Sequence, residues 1–262
     1  MVKRELKSNI KALLIFLLII VGLSLSVSLL YPSLSKNFEN INEMLTMFPE
    51  EMLKAFNLDI ANLATFTGWF LSEGYIMIQL LSACYFAMLG GSILLKETND
   101  GTIDFLYSKP VSKKQIINAK LQSGAIYVII FNLFISISLL IGLRINNEFE
   151  IKQWLLISVL PFFTSLFFFT TSVFISLFLK KTNQSTGINI GLVFLFYFLN
   201  MIAMLAEKVD FLKYLSIFYY TDSKDIIENN YISMEKIFPV ILVIAVVRYL
   251  SIKIYSNKEL SL

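Results

Sequence analysis

Six stretches of this chain are long, apolar and nearly free of charge: residues 12–30, 75–95, 124–143, 154–179, 186–206 and 237–255. A bilayer core of about 30 Å is crossed by about 20 helical residues rising about 1.5 Å each, which is the length these stretches share. Lipid offers a backbone N–H or C=O no partner, so a chain that crosses it must do so as helix. Composition agrees, because 56% of the 262 residues are hydrophobic and 16% charged, against about 25% charged in a soluble domain. The sequence therefore predicts an all-α integral membrane protein of six transmembrane helices, a single transmembrane domain over residues 1–262. Arg248 interrupts the sixth span, which is kept because the arginine lies near an end and its stem reaches the headgroups. The fourth is longer than a bilayer requires and holds Pro161, which predicts tilt or a kink near its outer end.

An even number of spans puts both termini on one side. Lys3, Arg4, Lys7 and Lys11 precede the first span, whose apolar run is too long for a cleaved signal sequence and predicts an uncleaved signal anchor. With the N-terminus inside, the inner segments collect fourteen basic and five acidic residues, and the outer segments eight basic and fourteen acidic. The local nets are +9 and −6, the asymmetry expected when both termini are cytoplasmic.

Histidine is absent and Cys84 is the single cysteine. This excludes Ser-His-Asp chemistry, His-ligated metals, internal disulfides and CxxC redox pairs. No catalytic, cofactor-binding or metal-binding residue is expected. The first five spans carry no charge, so an ion-coupled carrier has no obvious site for its ion. Asn132, Asn189 and Asn200 are polar groups that either coordinate an ion or bond neighbouring helices.

Two loops carry pattern. In the outer loop 31–74, Phe38, Ile41, Leu45 and Phe48 share one helical face, and Pro49 with Glu50 and Glu51 suits the first turn of a second helix. Two amphipathic helices along the outer surface are expected, either as a cap over span ends or as a gate. Thr67-Gly68-Trp69-Phe70 reads as an interfacial anchor ahead of the second span. In the inner segment 96–122, Asp100-Gly101 makes a turn, Pro110 forbids helix at Lys109, and Ser112 with Gln115 fits a capping box that starts a helix at Lys113. A short helix, a break and a second helix follow, with apolar side chains among charges. Such an element either rests on headgroups or docks a cytoplasmic partner.

The run from Lys96 to Ile116, KETNDGTIDFLYSKPVSKKQI, resembles the E-x-x-x-G-T-x-(D/E)-x-L-x-S-x-P-V-S-R pattern of ABC-2-type ABC transporter permeases. It matches at Glu97, Gly101, Thr102, Asp104, Leu106, Ser108, Pro110, Val111 and Ser112, with Lys113 in place of arginine. Tyr31-Pro32-Ser33-Leu34, the run from Phe48 to Phe56 and Glu73-Gly74-Tyr75 resemble single-domain permeases of the toxin-export and copper-maturation kind. The resemblance implies an exporter membrane domain with a cytoplasmic coupling helix. ATPase coupling would fall to Glu97, Gly101, Thr102, Asp104, Phe105, Leu106, Pro110, Val111, Ser112 and Lys113. It also implies two facing copies, of this chain or a related permease, in the bacterial cell membrane. Each copy docks a separate ABC ATPase, which binds ATP and Mg; nucleic acid has no part. The chain lacks G-x-x-x-x-G-K-[ST] and holds no P-loop of its own.

Phe162, Phe163 and Phe167, with Asn189 and Asn200, either line the path of an apolar or amphipathic cargo, such as a peptide, toxin, drug or lipid-like molecule, or face lipid. Two other classes stay open: a membrane immunity or sensor protein that binds a toxic peptide without pumping it, and an intramembrane enzyme. The first would have no ATPase partner and the second would need a polar catalytic cluster at matched depths.

Overall fold

The computed structural model describes residues 1–36, 64–102, 110–205, 207–223, 226 and 230–258. The two expected outer-loop helices lie outside these residues. Six helices are long and apolar enough to cross a membrane: α1 (Val2–Ser35), α2 (Phe66–Ile93), α3 (Lys113–Ile145), α4 (Ile151–Ser176), α5 (Thr182–Leu205) and α6 (Met234–Asn257). Among the described residues all regular structure is helical.

The helices outrun the apolar spans where polar turns extend them. α1 has 34 residues and α3 has 33, about 50 Å each at the helical rise. Their surplus turns carry Lys3, Arg4, Glu5, Lys7 and Lys11 on α1, and Lys113, Lys114 and Lys120 on α3. α4 stays one helix through Pro161 and ends at Ser176, after which Leu177 and Phe178 form a turn. At the start of α2, Thr65 caps the helix by accepting from Gly68 N at 3.1 Å. The Glu148 carboxylate, from the α3–α4 link, accepts from Phe66 N at 2.6 Å and Thr67 N at 2.9 Å. Three of the otherwise orphaned amides of this helix end are thereby satisfied. Phe70–Gly74 then winds as a π-turn, a feature hydropathy does not signal.

In their most apolar stretches α2 and α4 are 61% buried, against 28% for α1 and 22% for α5 and α6. The bundle is thus centred on the α2–α4 pair, with α1 packed on α3, α5 on α2 and α6 on α4. Small residues set these approaches, as expected where lipid gives helices no hydrophobic reason to associate. A Cβ on Gly90 would strike the backbone carbonyl of Phe169, and one on Gly124 its ring. Tyr85 stacks on Phe131 at 5.3 Å, with Phe86 edge-on to both.

The α5–α6 link does not simply pass over the helix ends. After a 3-10 helix over Glu207–Leu215 and a helical turn at Ile217–Tyr220, Thr221 meets Gln79 of α2 and Thr164 of α4. Both partners lie thirteen residues into their helices, about 20 Å from the ends. Irregular backbone at that depth needs protein partners. The Thr221 carbonyl accepts from Tyr75 Oη at 3.0 Å and Gln79 Nε2 at 3.1 Å.

The glycines give a paired expectation. Gly90→Ala forces the α2–α4 backbones apart and should cost about 1–3 kcal/mol, the usual penalty for overpacking. Gly187→Ala and Gly191→Ala meet nothing within 4 Å and should be neutral or gain up to about 1 kcal/mol of helix propensity. Thermal unfolding in detergent distinguishes the two classes.

Candidate functional site

The segment joining α2 to α3 is built from two sharply defined ends. After α2 a single turn over Lys96–Asn99 closes as a Schellman motif. Thr102 N donates to Glu97 O at 2.9 Å and Gly101 N to Thr98 O at 3.4 Å, with Gly101 left-handed at φ +64°. That conformation explains the glycine physically, since any L side chain there is strained. At the other end Ser112 Oγ accepts from Gln115 N at 3.2 Å, and Gln115 Oε1 accepts from Ser112 N at 2.9 Å. The expected capping box is present, and α3 begins at Lys113. Of the proposed coupling residues, Asp104, Phe105 and Leu106 lie outside the described residues. Glu97, Gly101, Thr102, Pro110, Val111, Ser112 and Lys113 frame them.

Glu97 is 6% exposed and Lys120, on α3, only 2%. The Lys120 ammonium donates to both Glu97 oxygens at 2.7 and 2.8 Å, and to the Ile93 carbonyl at 2.6 Å. It also donates to Glu5 Oε1 of α1 at 3.4 Å. An ammonium has three protons, and here they face a carboxylate from each of two elements and one of the unpaired carbonyls at the end of α2. Tyr127 Oη donates to the Leu6 carbonyl beside it. One cation thus ties the first turns of α1, the exit of α2 and the entry of α3.

The same end gathers the other helices. Asn99 donates to Thr182 Oγ1 at the start of α5. Lys113 Nζ donates to Lys258 O after α6 at 2.6 Å, and Lys258 Nζ to Leu177 O after α4 at 2.7 Å. All six helices therefore reach the α2–α3 segment or its anchors through hydrogen bonds.

At the opposite end a cavity of about 280 Å³ opens between α2, α5 and the dipping link. Its lining includes Ser72, Tyr75, Gln79, Asn200 and Asp222. Ser72 Oγ and Asn200 Oδ1 are buried without a hydrogen-bond partner. Gln79 donates to Thr164 Oγ1 at 2.8 Å and Thr221 Oγ1 at 2.7 Å, closing a buried network across α2, α4 and the link. Asn189 stands elsewhere, packed on Gly91 and donating to Ser185 O at 2.8 Å. Asn132 donates to Ser158 O at 2.8 Å and joins α3 to α4. Phe162, Phe163 and Phe167 are partly buried against the core and do not line the cavity.

Sequence reasoning missed Glu5 and Lys120 as a pair, counting them only as inner charges. A signal existed, because Lys120 shares a helical face with Ile116, Ile117, Ser123 and Gly124, and a lysine on a buried face requires a partner. Gln79 carried the weaker sign of an amide alone in an apolar span.

The family described as ABC-2 family transporter protein matches residues 2–260, and the chain belongs to it. No curated protein and no solved structure matches the chain.

Replacing Lys120 by alanine strands two buried carboxylates and should cost about 3–5 kcal/mol. Combining Lys120→Met with Glu97→Gln and Glu5→Gln removes the charges together and should recover most of that loss. Unfolding of the single and triple variants in detergent measures the difference.

Proposed function

We propose that this ABC-2 permease is the membrane-spanning half of an ATP-driven exporter, and that the segment between α2 and α3 is the handle by which an ABC ATPase moves it. Membership in the family makes the chain a membrane transport subunit, not itself catalytic, of the kind that associates with ABC ATPases. The observation that carries the proposal is the Glu5–Lys120–Glu97 junction. Force applied between Gly101 and Ser112 reaches α1, α2 and α3 through a buried ion cluster and reaches α4, α5 and α6 through Lys258 and Asn99. Such a bracket converts ATPase closure into a rigid-body shift of helices.

In this reading both termini and the coupling segment are cytoplasmic in a bacterial cell membrane. The clustering of Lys3, Arg4, Lys7, Lys11, Lys96, Lys113, Lys114, Lys180 and Lys181 towards the junction supports that orientation. Two copies work together, each with an ATPase subunit that binds ATP and Mg. The cargo is an apolar or amphipathic molecule such as a peptide. Ser72 Oγ and Asn200 Oδ1 in the outer cavity offer an unfilled donor and acceptor that suit an amide group better than a hydrocarbon.

Coexpression with an ATPase encoded beside this chain, followed by transport into inverted vesicles, tests the proposal. Gly101→Pro removes the N–H given to Thr98 and cannot hold φ +64°. Paired Asp104→Lys and Lys113→Glu reverses charge across the segment. Both should abolish ATP-dependent transport while membrane insertion persists. Normal transport by these variants contradicts the coupling role.

A further inference from the structure

A second site lies on the flank of the bundle, beside the Lys120 junction and away from the outer cavity. A crevice of about 380 Å³ runs between α3, α4 and α6, within the volume range of small-molecule sites. Its lining is graded along the membrane normal. Helix α3 runs away from the Lys120 junction, whereas α4 and α6 run towards it, so Gln122, Thr170 and Arg248 mark the mouth nearest the junction. Ile129, Leu166 and Ile244 mark the far end. Gln122 stands two residues from Lys120, about 3 Å along the axis, so the mouth shares the polar layer of the junction and the remainder lies in hydrocarbon.

Arg248 is exposed and makes no ion pair or hydrogen bond among the described residues. Neighbouring α6 positions Leu242, Val243, Val246, Tyr249 and Leu250 are exposed apolar side chains. A guanidinium without a carboxylate, at the mouth of an apolar crevice and at interfacial depth, complements one class of ligand. Its planar fork suits a phosphodiester, and the groove behind it suits a single hydrocarbon chain.

We propose that this crevice holds one anionic phospholipid, its phosphate on Arg248 and Gln122 and one acyl chain along Ala125, Ile126 and Ile129. The site goes beyond the permease reading and stands without it, since it requires neither ATPase nor cargo. Bound there, the lipid bridges α6 to the α3–α4 pair.

Native mass spectrometry of the full chain in mild detergent, with phosphatidylglycerol or phosphatidylcholine added, tests the proposal. The wild type should retain one phosphatidylglycerol per chain in preference to phosphatidylcholine. Arg248→Gln should lower its apparent affinity about tenfold, the effect of losing a charge-assisted hydrogen bond of the usual strength. Arg248→Lys should recover part of that loss. Ala125→Phe, which fills the groove and leaves Arg248 in place, should also reduce retention, whereas Lys208→Gln should leave it unchanged. Retention of phosphatidylglycerol that is indifferent to both Arg248→Gln and Ala125→Phe marks ordinary annular lipid and overturns the proposal. Loss of dimers in Arg248→Gln without loss of lipid would assign the crevice to a second copy and overturn it equally.

Discussion

Everything at the charged end of this molecule depends on a single ammonium group held out of water. Lys120 is satisfied only while Glu5, Glu97 and the end of α2 remain where they are. Removing two carboxylates and an amine from solvent is costly, and a buried ion cluster of this kind is weak evidence for stability alone. Its value lies in geometry. A charge with three named partners on three elements admits one arrangement, whereas an apolar contact at the same place would tolerate sliding. The Schellman stop at Gly101 and the capping box at Ser112 extend that definition to both ends of the intervening segment.

The opposite end is built on different terms. Helix starts there are satisfied by distant groups, as when Glu148 caps α2, and the α5–α6 link descends to meet Gln79 and Thr164. The Gln79–Thr164–Thr221 network is neutral and contains hydroxyl groups that rotate to suit their partners. Ser72 Oγ and Asn200 Oδ1 are among the buried atoms without partners, and both residues border the cavity at this end. The two ends thus differ in kind, with a buried ion cluster at one and a neutral hydrogen-bond network beside a cavity at the other.

The spans were legible because lipid imposes a length and a composition that few other environments do. Residue types also settled the local signals between α2 and α3, where Ser112 with Gln115 and Asp100-Gly101 state their own geometry within a few positions. Long-range features were harder to read. Nothing in the run Phe70–Gly74 distinguishes a π-turn from ordinary helix. The descent of Thr221 depends on contacts with residues 142 and 57 positions away in sequence. Glu5 and Lys120 were visible as charges, but their meeting required the pairing of α1 with α3, which hydropathy cannot supply. Asn132, Asn189 and Asn200 look alike in sequence, yet the first joins two helices, the second bonds within its own and the third borders a cavity.

In the proposed cycle the first turns of α1, the exit of α2 and the entry of α3 move as one body when ATP is hydrolysed. Spin labels at Lys7 and Lys114, both exposed, with Cys84 replaced by serine, report on it directly by electron-electron distance measurement in the ATPase-bound, membrane-reconstituted protein. One narrow distance within the chain, the same with and without ATP while transport proceeds, is expected. A distance that shifts or splits between the two states would show that the junction opens during the cycle and does not move as one body.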